Sequence, residues 1–276
     1  MKNLDNLNSK IEKINIPKVK FELAPTKMEV DLIFNFCYPD DTKILNWNYR
    51  VYDAHPKLKE MVGGITDKNI FYNKCEQYFK KYLIENKDNI EKARDNFQEK
   101  WDEIAEKNLA NLSKDFETKY PENIKEIKAY VSINPICPRF LDKWSFSLFY
   151  KFDDNTIKSV SIHEITHFLY FKKWLEVFPD SDKKKFDSPH SEWRLSEILA
   201  SSIANNNKTI QGSTNNREHK VYKEWQDIKI GEKILSEYFG ELYKEHENGK
   251  ISFEDFLKKS WEEYQKHKDI IENLKK

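Results

Sequence analysis

Ser161-Ile162-His163-Glu164-Ile165-Thr166-His167-Phe168-Leu169-Tyr170 is the stretch from which the rest of the chain is read. On a helix, His163 and His167 stand one turn apart and project from the same face. Two imidazoles at that spacing can grip one zinc ion. Glu164 then lies close enough to reach a water on the ion without ligating it. Zinc lowers the pKa of such a water, and a carboxylate beside it can take the proton. Ile157, Val160, Ile162, Ile165, Phe168, Leu169, Phe171, Trp174 and Leu175 put apolar side chains on nearly every face of this helix, which implies burial. Buried imidazoles and carboxylates need partners, and a metal ion is one. The competing reading is a chance match on a charged helix. With seven histidines in 276 residues, such a match is uncommon.

Upstream, Ile124, Ile127, Ala129, Tyr130, Val131 and Ile133 favour a strand ending at Asn134-Pro135. A short segment with two prolines and Arg139 follows. Trp144 to Phe152 then alternates as a second strand, and Asp153-Asp154-Asn155 turns into the motif helix. Before Pro121 the texture is different. Residues 1–25 read as an irregular lead-in, and Thr26 to Phe36 as a short helix or strand. Asp40-Asp41 open a turn followed by Ile44 and Leu45. Asp67 to about Tyr120 reads as one or two long amphipathic helices, ended by Pro121. This divides the chain into a mainly helical region, 1–120, which caps or walls a cleft, and a region 121–276 that carries the chemistry.

Downstream, Ser188-Pro189 looks like an N-cap with proline at the first helical position. Trp193, Leu195, Ile198, Leu199, Ile203 and Ala204 mark the helix behind it. Residues 205–217 read as a polar loop. Gly231 opens another helix, and Ser252-Phe253-Glu254-Asp255 has the character of a capping box at the start of the last one. His55 reads as a surface or packing histidine, and His246 and His267 as solvent-exposed.

Lys and Arg together equal Asp and Glu at 47 each, so the formal net charge is zero. That balance argues against nucleic acid or an anionic membrane as partner. Aromatic content of 14% supports a packed globule, and six glycines favour helix. Cys37, Cys75 and Cys137 are odd in number and far apart, which speaks for free thiols rather than a disulfide framework. Neither a signal-type apolar core near Met1 nor a run of about twenty apolar residues is seen, so the expectation is a cytoplasmic protein without membrane spans.

The motif resembles the zincin metallopeptidases. That resemblance implies an α+β, mostly helical fold with a small sheet before the active helix. It also implies zinc on His163 and His167, with Glu164 as general base in hydrolysis of a peptide or protein substrate. In the Met-turn branch a Gly and a third His follow; here Tyr170 and Lys173 stand there. The gluzincin branch, which includes thermolysin, takes a glutamate from a later helix. Glu192 and Glu197 are the candidates, and Glu197 is favoured as the mid-helix residue among apolar neighbours. Its competing partner is Arg194. Gluzincins also place a Tyr, His or Arg downstream to stabilise the oxyanion; Tyr222 is the first candidate and His219 the second. The strand from Trp144 to Phe152 is the implied substrate shelf. Two departures stand out. Ser201 occupies the position of a supporting aspartate, and the Gly-x-Met-Glu-Asn element of the large aminopeptidases is missing. The alternative function is a zinc-binding regulatory or interaction protein without turnover.

Overall fold

The computed structural model describes residues 15–39 and 47–272. The expected turn at Asp40-Asp41, with Ile44 and Leu45, lies outside them. Helices dominate, and a small mixed sheet sits among them, so the class is α+β. The first strand, β1 (Lys18–Leu23), falls where an irregular lead-in is expected. Val19 and Phe21 alternate inward, and the strand pairs in parallel with β2 (Glu126–Ser132). The pairing was hidden because the two strands lie about a hundred residues apart. Residues before and after position 120 therefore share one sheet.

Between these strands run α1 (Thr26–Cys37), α2 (Asn48–Ala54), α3 (Pro56–Val62), α4 (Lys68–Glu85), α5 (Lys87–Asp102) and α6 (Ala105–Asp115). The long amphipathic stretch is thus three helices. It breaks at Asn86 and near Ile104, and it ends well before Pro121. Glu117 turns left-handed there with φ 48°, and Ser113 closes the end by donating to the Thr118 carbonyl at 2.7 Å. Asp67 caps α4 by accepting from the Ile70 amide at 2.9 Å. On α5, Gln98 seals the outer edge of β1: Phe21 N–H donates to its Oε1 at 2.9 Å and its Nε2 donates to the Val19 carbonyl at 3.1 Å. An open strand edge is thereby covered.

The sheet continues with β3 (Arg139–Phe140) and β4 (Ser145–Phe149), in the order β1-β2-β4-β3. The first three neighbours run parallel, and the short β3 edge is antiparallel. Register aligns Phe21, Ala129, Phe146 and Arg139 in one row. Paired residues share a sheet face, so Arg139 points the same way as Phe146. That face carries the motif helix, α7 (Asp154–Val177), whose Phe168 stacks on Trp144 with ring centroids 5.2 Å apart. Asp153 caps α7 through the Thr156 amide at 2.7 Å. The helix is buried along most of its length, as its apolar surround requires, with Trp174 against Trp261 on its far side at 5.1 Å.

Beyond it come α8 (Ser191–Asn206) and α9 (Lys208–Ser213). A two-stranded hairpin, β5 (Lys229–Ile230) and β6 (Lys233–Ile234), precedes α10 (Leu235–Glu247), α11 (Phe253–Lys266) and α12 (Lys268–Glu272). His190, not Ser188, is the N-cap of α8: its backbone is extended, and its carbonyl accepts the Arg194 amide at 3.0 Å. The expected polar loop contains α9, capped by Asn207 accepting from Thr209 and Ile210. Gly231 does not open a helix. It turns the hairpin with φ 62°, a conformation that favours glycine. The capping box at Ser252 and Asp255 forms as expected. His55 is buried and sits 2.9 Å from the Ile133 carbonyl. His246 is not free in solvent: its Nε2 lies 2.9 Å from the Asp115 carbonyl. Among the described residues no helix is long and apolar enough to cross a membrane.

At the end of β2, Glu29 is 1% exposed. Its Oε2 accepts from Ser132 Oγ at 2.7 Å and its Oε1 from the Ile133 amide at 2.9 Å. Burial pushes this carboxyl up to about 7, against the pull of those two bonds. A folded pKa above the unfolded one means that the native chain holds an extra proton between the two values. The stability this group contributes is therefore full below the ordinary carboxylate pKa and lost as pH rises through about 7. Glu29→Gln should melt higher than the parent by a margin that widens from about pH 5 to about pH 8, by up to about 3 kcal/mol. Thermal melts across that range check it; a constant margin contradicts the assignment.

Candidate metal centre

Helix geometry sets His163 and His167 side by side, with Nε2 atoms 3.1 Å apart. Helix α8 packs on α7 and delivers Glu197 to the same point. Its Oε2 is 3.3 Å from His163 Nε2 and 3.5 Å from His167 Nε2. The His167 and Glu197 side chains are 0% and 3% exposed, while His163 keeps 23% open to a cleft. Three donor atoms thus form a nearly equilateral triangle at the cleft floor. Hydrogen bonding alone explains this poorly, because charge-assisted N–H···O bonds run about 2.7–2.9 Å. These three residues could hold a metal ion.

The charge states of His167 and Glu197 suit ligation. Burial pushes His167 down to about 3, with Arg139 adding to the effect, so its imidazole is neutral. Burial also opposes charge on Glu197, but the Arg139 guanidinium and the hydrogen bonds from the two imidazoles outweigh it and hold this carboxylate ionised, well below its usual range. His163 loses by burial and gains more from the Glu197 bond and the Glu164 charge, so its net direction is up.

The other carboxylate oxygen has its own partner. Glu197 Oε1 accepts from Arg139 Nη1 at 2.7 Å, with the two side chains 10% and 3% exposed. Arg194, the expected competitor, is engaged elsewhere: its Nε donates to the Pro189 carbonyl and its guanidinium lies over Trp225. Glu192 pairs with Lys185 at 3.5 Å and takes no part in the cluster.

Glu164 lines the same cleft, is 5% exposed, and has a buried Oε2 with no partner among the described residues. Burial pushes it up to about 7, against the pull of His163 and Arg139. His219 and Tyr222 also line the cleft, which has a volume of about 990 Å³. Asn205 fixes the His219 backbone from both sides, accepting from its amide at 2.7 Å and donating to its carbonyl at 2.8 Å. The His219 Nδ1 lies 3.3 Å from Ser159 Oγ, and its Nε2 is buried without a partner among the described residues. Burial pushes this imidazole down to about 4, so it is neutral. The Tyr222 ring stacks on Trp47 at 5.5 Å and meets Trp225 edge-on at 5.3 Å. Burial lifts its phenol well above its usual range, which keeps the proton in place.

Of the sequence-based candidates, His163, Glu164, Glu197, His219 and Tyr222 line one cleft, and the fully buried His167 joins them through its cluster with His163 and Glu197. Two residues were missed. Trp47, from the stretch before α2, walls the cleft as the first 120 residues were expected to do. Arg139 had a readable signal: it is the lone charge between Lys128 and Asp142, a run otherwise apolar or uncharged. The expected support of an imidazole remains unmet on one side, because His167 Nδ1 is buried without a partner among the described residues. Ser201 lines the cleft in place of the supporting aspartate. No family model, curated protein or solved structure matches the chain.

Equilibrium dialysis against zinc or cobalt should load one ion per chain and raise the melting temperature. At a hundredfold excess over Kd the gain is about 2.7 kcal/mol. His163→Ala and Glu197→Ala should each lose both effects. A wild-type chain that takes up no ion would remove the metal reading.

Proposed function

We propose that the chain is a zinc-dependent peptidase of gluzincin type. One observation carries this reading: the donor triangle with edges of 3.1, 3.3 and 3.5 Å. Zinc bonds of about 2.0–2.1 Å at tetrahedral angles require donor separations of roughly 3.3 Å. Two imidazoles and one carboxylate also match the three-ligand set of a catalytic zinc, which leaves a fourth position for water. When bound, zinc would polarise the scissile carbonyl and acidify the attacking water.

The protein's own groups divide the remaining work. Glu164 takes a proton from the water as its oxygen forms a bond to the carbonyl carbon. It then passes that proton to the amine nitrogen as the C–N bond breaks. Its buried, unpartnered Oε2 supports this role. The oxyanion needs a donor from the cleft wall. Tyr222 offers a phenol that keeps its proton, and His219 offers an Nε2 with no other partner among the described residues. The substrate shelf moves from the sequence expectation. The strand β4 lies between β2 and β3; of the expected shelf Phe152 lines the cleft, together with Pro135 to Arg139, the run that leads into the β3 edge. An extended peptide would pair along that edge.

Glu164→Gln should retain the metal and lose roughly 10²–10⁴-fold in turnover of a quenched-fluorescent peptide library. Equal cleavage by variant and parent would rule out the mechanism. The buried His167 Nδ1 without a partner favours a second reading, a zinc-binding protein without turnover. It predicts a loaded wild type that cleaves nothing in the library.

A further inference from the structure

We propose that Arg139 is a positioning residue that restricts Glu197 to ligation through one oxygen and so keeps the fourth metal position open. The inference rests on the metal-binding reading. Its first support is the division of one carboxylate between two sets of partners: Oε1 lies 2.7 Å from Arg139 Nη1, while Oε2 faces both imidazoles. A carboxylate with both oxygens free can turn and offer both to a cation, which would fill the position that water needs. Arg139 blocks that turn.

The fold commits Arg139 to this task. Its place opposite Phe146 on the β3 edge aims it at the face that α7 covers. The Phe171 ring lies beneath the guanidinium at 5.8 Å. Among the described residues, its one ion pair is with Glu197, and its buried Nε has no partner. No aspartate supports the ligand set at position 201 and no group holds His167 Nδ1 among the described residues, so orientation of the cluster falls to the one clamp that is present. The contact is a single Nη1–Oε1 bond, so the guanidinium pins that one oxygen.

The test loads wild type, Arg139→Met and Arg139→Lys with cobalt(II) and records the visible d–d band, which is intense for four-coordinate and several-fold weaker for five-coordinate cobalt. The Arg139→Met band should fall several-fold as the freed oxygen adds a ligand, and Arg139→Lys should recover part of the loss. An Arg139→Met band equal to that of wild type overturns the inference and leaves the metal site standing. A wild type that takes up no cobalt overturns both. Should Arg139→Met fail to fold, the structure of the cobalt-loaded wild type decides. Oε1 still held by Arg139 upholds the inference, and both oxygens on the metal overturn it.

Discussion

The Glu197 carboxylate, 3% exposed, sits where an isolated charge could not be held. Removing an ionised carboxylate from water costs several kcal/mol even after relaxation, unless opposite charge and hydrogen bonds surround it. Two imidazoles from α7 and a guanidinium from β3 do surround it. Satisfying that one charge requires three elements to meet: the helix that carries it, the helix beside it and the edge of the sheet. The cleft is the space left where they meet, and Glu164 looks into it from the same helix as the imidazoles.

The sheet serves this meeting point. Parallel pairing of β1, β2 and β4 buries Phe21, Ala129 and Phe146 in one row, and the antiparallel β3 extends the row by a residue that is charged. Such a residue could not sit in the interior of the row without a partner. At the edge it reaches past the apolar layer to Glu197. The N-terminal stretch supplies β1, the Gln98 seal on its outer edge, and Trp47 against Tyr222. The cleft is thus built from both halves of the chain, which follows from a first strand that pairs with one about a hundred residues later.

Local signals were read well where the physics is local. The extents of α7, β2 and α11 follow from periodicity, a proline, and side-chain caps within four residues. Errors gathered where a distant contact decides. Val19 and Phe21 look like part of a charged lead-in until β2 is beside them. His246 looks solvated until α6 brings Asp115 against it. Gly231 looks like a helix start because its positive φ is invisible in the sequence, and the hairpin it turns has only two residues on each side.

From residue order alone came the two imidazoles on one helical face, the carboxylate next to the first of them, and the choice of Glu197 over Glu192. The first two rest on spacing along a helix, whose geometry is the same wherever the helix sits; the third rests on the resemblance and on the apolar neighbours of Glu197. Only the tertiary structure could decide that Glu197 meets both imidazoles at once, that its partner is Arg139 rather than Arg194, and that the cleft wall is the run into β3 rather than β4. Those facts depend on sheet register and on the packing of α8 against α7. The contacts of Glu197 join residues 30 to 58 positions apart, at distances that no local periodicity encodes.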